Sequence, residues 1–270
     1  MLKVHWYEGD LSFGQEALDT AQMGLKSIES LIPLDLEQPV EIFIYASTED
    51  LHATLAPGEE GWIAGHASPE LGVLMVLIEP GPQQAIAMEQ RIPHELMHVM
   101  LYRRVGAGYK MIPAWLREGM ATLVEMYPNA EYDRVLKDAL TSNTLIPLQD
   151  LCVSFPKDTG QAFLAYAESR SFTRFLKESY GSTGLLNLAG SYASGVECER
   201  GTEGAFGATL SSLESQWRSS VLGEKTFVST LQNISPYLGL LCLVLIIPLL
   251  DIAVTLRKGK RNEPGSHVRK

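Results

Sequence analysis

The sequence predicts an α+β domain followed by one membrane-spanning helix. Short β-patterned runs crowd the first eighty residues, helical patterns fill almost everything after Gln84, and one long apolar run stands near the C-terminus. Strands first and helices after is an α+β order, unlike the strand–helix alternation of parallel α/β folds. The 270 residues are 46% hydrophobic and 20% charged, enough apolar material for a full core and too much for a disordered chain. With Gly 23, Pro 14 and three Cys, collagen-like and disulfide-scaffold classes are excluded.

Taken in order, residues 2–7 alternate as a short strand, and residues 13–32 place Ala17, Ala21, Leu25 and Ile28 along one helix face. Residues 40–46 (VEIFIYA) are branched and aromatic, as strands prefer. Ser47-Thr-Glu-Asp50 reads as a capping box that opens a short helix to Leu55. Residues 56–61 form a loop, and residues 72–79 (GVLMVLIE) form a strong strand, apolar on both faces and ended by Pro80-Gly-Pro82. Helices are then expected near 86–105, 114–127, 131–141, 160–180, 182–193 and 209–222, separated by Gly, Pro and Ser. No internal repeat is visible.

Residues 223–235 are a linker to the apolar run 236–256 (PYLGLLCLVLIIPLLDIAVTL), which holds a single charge, Asp251. About twenty helical residues span the roughly 30 Å hydrocarbon core of a bilayer, so this run is expected to cross it. Pro248 is tolerated there, and Cys242 only packs. Arg257, Lys258, Lys260 and Arg261 follow at once. The positive-inside rule therefore places the basic tail 257–270 in the cytoplasm and the body outside, as a single-pass protein of the cell membrane. Met1–Asp10 (MLKVHWYEGD) lacks a basic stretch followed by an apolar one, so either the chain is tail-anchored against the charge rule or, as expected here, a further N-terminal segment precedes it. A soluble protein with a hydrophobic terminal helix is the other arrangement. From Asp251 on lie six of the 22 Lys/Arg and two of the 32 Asp/Glu, leaving 16 bases against 30 acids before it. Such an acidic body argues against nucleic acid as a partner.

The chemistry centres on His94-Glu95-Leu96-Met97-His98. Residues i and i+4 share a helix face, so two imidazoles can bind one metal while the Glu one step round reaches a water on its open side. Pro93 either kinks or starts this helix. A third ligand is available at Glu118 in Pro113-Ala-Trp-Leu-Arg-Glu118-Gly-Met-Ala, with nineteen residues between it and His98. The span between them gives room for a helix end, a Gly-rich turn and a return helix. Two His and one Glu leave a fourth position for water, the composition of a catalytic zinc site. Glu125 is expected to be a solvated carboxylate or one that supports a ligand, and His66 a surface histidine rather than one lining a cleft.

His94, Glu95, His98 and the stretch WLREGMA resemble the gluzincin zinc metallopeptidases. That class includes the aminopeptidase N and thermolysin groups, and the resemblance is strongest to peptidase MA-like domains with PxWLxEGxA. It implies a zincin-like domain over residues 1–222: a small N-terminal sheet, two zinc helices and a helical lobe. Residues 72–79 correspond to the edge strand beside the cleft, to which a peptide or protein substrate adds as an antiparallel strand. His94, His98 and Glu118 would bind Zn²⁺, and Glu95 would be the general base. Tyr166, at the start of YAESRSFTRFL, is similar in position to the oxyanion-stabilising tyrosine of the aminopeptidases. The Lys-Gly pair of that motif is absent, and a core tyrosine in an amphipathic helix is the other reading. The aminopeptidases' Gly-x-Met-x-Asn stretch has no counterpart between Gly61 and Gln90, so specificity is endopeptidase-like or open. The rival functional class is a non-catalytic, zinc-stabilised scaffold tethered to the membrane. Cys152 and Cys198 could pair as a disulfide if the domain is extracytoplasmic.

Overall fold

The computed structural model describes residues 2–55 and 64–223. The expected span 236–256 and tail 257–270, and the linker beyond Gly223, lie outside the described residues. Among the described residues no helix is long and apolar enough to cross a membrane.

Strand β1 (Leu2–Trp6) turns Leu2, Val4 and Trp6 toward the core. The Asp10 carboxylate accepts the Phe13 N–H at 3.1 Å, an N-cap that starts α1 (Leu11–Glu29). Phe13, Ala17, Ala21, Leu25 and Ile28 then bury one face at helical spacing. Strand β2 (Val40–Tyr45) alternates Val40, Ile42 and Ile44 inward. The expected cap at Ser47 is present, with Asp50 N–H donating to its Oγ at 3.1 Å, and α2 (Thr48–His52) follows. Strands β3 (Gly65–Ser68) and β4 (Val73–Leu77) complete a four-stranded sheet.

The strand order is β1-β2-β4-β3, with the first three parallel and β3 antiparallel to β4. This corrects the sequence expectation for residues 72–79. They form an inner strand, β4, paired on both sides, with Leu74 and Val76 fully buried and their neighbours half-covered. Apolar residues on both faces mark a strand covered on both sides. The edge is β3, whose Gly-His-Ala-Ser composition lacks the branched residues by which strands are recognised in sequence.

The helical half comprises α3 (Gln84–Val105), a 3₁₀ turn at Gly106–Met111, α4 (Ala114–Leu123), α5 (Glu131–Ser142), α6 (Thr159–Ala193), α7 (Cys198–Phe206) and α8 (Leu210–Ser220). Gly181, at φ +74°, breaks α6 where the sequence separates 160–180 from 182–193. Helix α7 was not expected, because two glycines in nine residues depress its helix propensity. Trp115, Phe172 and Trp217 pack edge-to-face at 5.1 and 5.7 Å in the lobe's core. Cys152 and Cys198 form a disulfide. The Cys152 carbonyl also accepts the Ala114 N–H at 2.9 Å, so this crosslink sits at the start of α4.

Helices α4 and α6 touch backbone to backbone at Gly119, where a Cβ would overlap Thr173 Oγ1 and lie 2.6 Å from the Ser169 carbonyl. Gly119→Ala is therefore expected to cost about 2–3 kcal/mol by overpacking. That is a fall of roughly 5–10 °C in Tm, measurable by thermal unfolding; an unchanged Tm would contradict the close approach.

On α6, Glu168 is fully buried. One carboxyl oxygen accepts the Ile146 N–H at 2.9 Å, and the other has no partner. Burial pushes this carboxyl up to about 8 from its ordinary 4.5. The folded state thus holds a proton that the unfolded state releases between those values. The contribution of Glu168 to stability is full below pH 4.5 and falls by about 1.4 kcal/mol per pH unit as pH rises toward 8. Glu168→Gln, a permanent mimic of the neutral acid, is expected to flatten this slope in urea titrations between pH 5 and 9. Parallel slopes in the two proteins would refute the assignment.

Candidate metal centre and cleft

Helix α3 presents His94 and His98 one turn apart, and α4 brings Glu118 against them. His94 Nε2 lies 3.3 Å and His98 Nε2 3.6 Å from the same oxygen, Glu118 Oε2. One ligand atom from each of the three lies within 4.8 Å of the others, so a single cation can meet all three. The far side of each ring is also engaged. His94 Nδ1 is 2.9 Å from Glu125 Oε1, and His98 Nδ1 is 2.9 Å from the Tyr109 hydroxyl. These contacts fix ring orientation and leave both Nε2 atoms for a metal. Glu125, expected as a solvated or supporting carboxylate, takes the supporting position. Tyr109 was missed, since a tyrosine in the Gly-rich turn carries no motif signal.

Pro93 neither starts nor ends α3 but lies inside it, one residue before His94. A proline has no N–H, so the carbonyl four residues earlier loses its helical partner. That carbonyl belongs to Glu89, and it accepts the Met126 N–H at 3.0 Å. The chain leaving α4 is thereby fastened to α3 one residue beyond Glu125.

Burial opposes charge on His94, but hydrogen bonds to Glu118 and Glu125 outweigh it and raise its pKa well above the ordinary value. Burial opposes charge on Glu118 too, yet His98 and His94 hold its carboxyl far below the usual carboxylate range. A buried carboxylate that stays ionised between two imidazoles suits a divalent cation. Glu95 is buried and its carboxyl is raised, first by burial and against the pull of His94 and His98. Edge strand β3 comes so close that a Cβ at Gly65 would stand 2.5 Å from Glu95 Oε1.

These groups line a cavity of about 740 Å³. The Tyr166 ring, carried by α6, is 6.1 Å from that of His94. Burial raises its phenol, as do the Glu118 and Glu95 carboxylates and a hydrogen bond to Glu118. Tyr166 is thus at the cleft, not in a remote core. His66 also differs from expectation: it lies on β3, half-covered, and lines the cavity. The cavity walls add Tyr132 and Phe163, whose rings are 5.1 Å apart, neither of them singled out by sequence.

If Glu125 and Tyr109 orient the histidines, Glu125→Ala and Tyr109→Phe should each weaken zinc binding about 10–100-fold. Competition against a chromophoric chelator measures this, and unchanged affinity in both would show that the rings are fixed by packing alone.

No curated protein matches the chain. A family model described as the peptidase MA superfamily matches residues 20–223, from α1 through the whole metal centre to the end of the described residues. The chain belongs to the peptidase MA superfamily.

Proposed function

We propose that this protein is a membrane-anchored zinc peptidase that hydrolyses peptide bonds with Glu95 as general base. One observation carries the reading: two imidazole Nε2 atoms and the ionised Glu118 converge at one point beside the buried Glu95, under an edge strand. His94, His98 and Glu118 hold the metal. Zinc supplies an acidified water and polarisation of the scissile carbonyl. Glu95, its pKa raised by burial, takes the water's proton and hands it to the departing amine. Tyr166, with its hydroxyl beside Glu118, would donate toward the carbonyl oxygen as negative charge builds there. Strand β3, which is last in the sheet among the described residues, would offer its edge to an extended substrate.

Anchoring rests on the apolar run 236–256 and the basic residues that follow it. The Cys152–Cys198 disulfide supports a catalytic domain outside the cytoplasm, where such bonds persist. The scaffold reading is less favoured. A purely structural metal site has no use for a buried carboxylate of raised pKa placed off the ligand set, as Glu95 is.

The test pairs metal content with turnover. Glu95→Gln should retain about one zinc per chain and lose about 10²–10⁴-fold in hydrolysis of a mixed peptide library. Glu118→Ala should lose both metal and activity. Full turnover by Glu95→Gln would sink the mechanism, and zinc binding by a wild-type chain that cleaves nothing would favour the scaffold.

A further inference from the structure

The two ends of the cleft differ in chemistry, and the direction of β3 says which end meets which part of a substrate. At its start, Ala64 accepts the Leu77 N–H at 2.9 Å, and the Arg91 guanidinium donates to the Leu77 carbonyl. Gly65, next along, lies against Glu95. At the other end Ser68 pairs with Val73, and a Cβ on the neighbouring Gly72 would be 3.0 Å from the Arg103 guanidinium. Strand β3 therefore runs in the same direction as α3, from the level of Arg91 toward that of Arg103. The metal centre lies between these levels.

At the Arg91 end the walls are aromatic. Glu125 reaches His94 from that side, and beyond it stand Tyr132 and Phe163. At the Arg103 end the walls are basic. Tyr109 bonds His98, and the Arg117 guanidinium lies over the Tyr109 ring, 5.4 Å from its centroid. Lys110 is the next residue and also lines the cavity. Neither Arg117 nor Lys110 has an ion pair among the described residues. One exposed carboxylate, Glu70, shares this end, leaving two cations against one anion. Arg91 also lines the cavity, at the opposite end, but its guanidinium is engaged by the Leu77 carbonyl. In a body of 16 bases and 30 acids, two cations without an ion pair at one end of the cleft are against the general trend.

We infer that the cleft selects peptides with an acidic side chain on the amino side of the scissile bond, read by Lys110 and Arg117, and a bulky apolar side chain on the carboxyl side, received by Tyr132 and Phe163. The inference rests on the peptidase reading. An added strand pairs more stably antiparallel than parallel, so the substrate runs against β3 with its amino end at Lys110 and Arg117. The His98 and Tyr109 ring centroids are 6.3 Å apart, and the Arg117 guanidinium lies 5.4 Å from the Tyr109 centroid, which bounds its distance from His98. At about 3.3 Å per extended residue, the acidic side chain falls within about three residues of the cleaved bond. Arg117 can grip a carboxylate with two parallel N–H bonds, and Lys110 adds a point charge from the rim.

The test profiles the zinc-loaded full-length chain in detergent on a peptide library, alongside Lys110→Glu and Arg117→Glu. Wild type should enrich Asp or Glu within three residues before the cut and Phe, Leu or Tyr directly after it. In both charge-reversed variants kcat/KM for an Asp-bearing peptide should fall about 10–100-fold. Its Lys-bearing counterpart should be cleaved faster than by wild type, with the apolar preference after the cut unchanged. The gain on the lysine peptide is what simple loss of structure cannot produce. Cleavage without acidic enrichment, acid enriched after the cut, or the same profile in all three proteins would overturn the inference. If wild type cleaves nothing, the peptidase reading fails by itself. Fluorescence binding of the same Asp and Lys peptides then decides: acid selectivity lost in both variants supports the basic subsite, and equal binding overturns it.

Discussion

A proline one residue before a metal-binding histidine ties the whole arrangement together. Two imidazoles on one helix can share a cation only if a carboxylate arrives from elsewhere and both rings are held at fixed angles. Pro93 serves both needs indirectly. By removing one N–H from α3 it frees the Glu89 carbonyl, and the Met126 N–H takes it at 3.0 Å. Glu125 is then held where it meets His94 Nδ1 at 2.9 Å. The other end of α4 is held by the Cys152 carbonyl on Ala114, so Glu118 rides on a helix fixed at both ends. Gly119, immediately after it, lets that helix lie directly on α6, which carries Tyr166. The ligand helix, the supporting carboxylate and the cleft tyrosine therefore follow from one irregularity in α3 and one missing side chain in α4.

The same logic of subtraction applies to the sheet. Strand β3 comes so close to Glu95 that only a residue without a Cβ fits at Gly65. Its composition is then poor in the branched residues that stabilise strands, and it is held by β4, to which it pairs over four residues. The strong strand is inside, where burial rewards it, and the weak strand is at the edge of the sheet among the described residues.

That division explains what could be read in the sequence. The ligands were legible because metal chemistry demands particular side chains at spacings fixed by helix geometry, as at His94, His98 and Glu118. Caps were legible for the same reason: Ser47 and its short helix follow from local hydrogen bonding. The break at Gly181 was marked by its own residue. What escaped was set by tertiary contact. Residues 72–79 look like a strand in any position, and only their neighbours decide that β4 is inner and β3 the edge. Helix α7 forms despite two glycines, against its own propensity. Tyr109 and Phe163 reach the site by folding, with no local pattern to announce them, and His66 was read as a surface residue although it turns into the cavity.

The centre also sets the domain's energetics. Glu95, Glu118 and Glu125 crowd around two imidazoles in a region largely withdrawn from water. Ionised carboxylates cannot be buried together without a compensating charge. His94 supplies part of it, its pKa raised by Glu118 and Glu125 against the effect of burial. A divalent cation would supply it more completely, at the one point where three ligand atoms already meet. Any ligand that binds the folded state and not the unfolded one adds stability, about 4 kcal/mol at a concentration a thousand times its dissociation constant. Under the proposed peptidase reading, the groups that would act on a peptide would thus also tie folding to metal. The disulfide beside α4 and the backbone bond released by Pro93 hold those groups together from outside the charged cluster, through contacts that do not depend on its protonation.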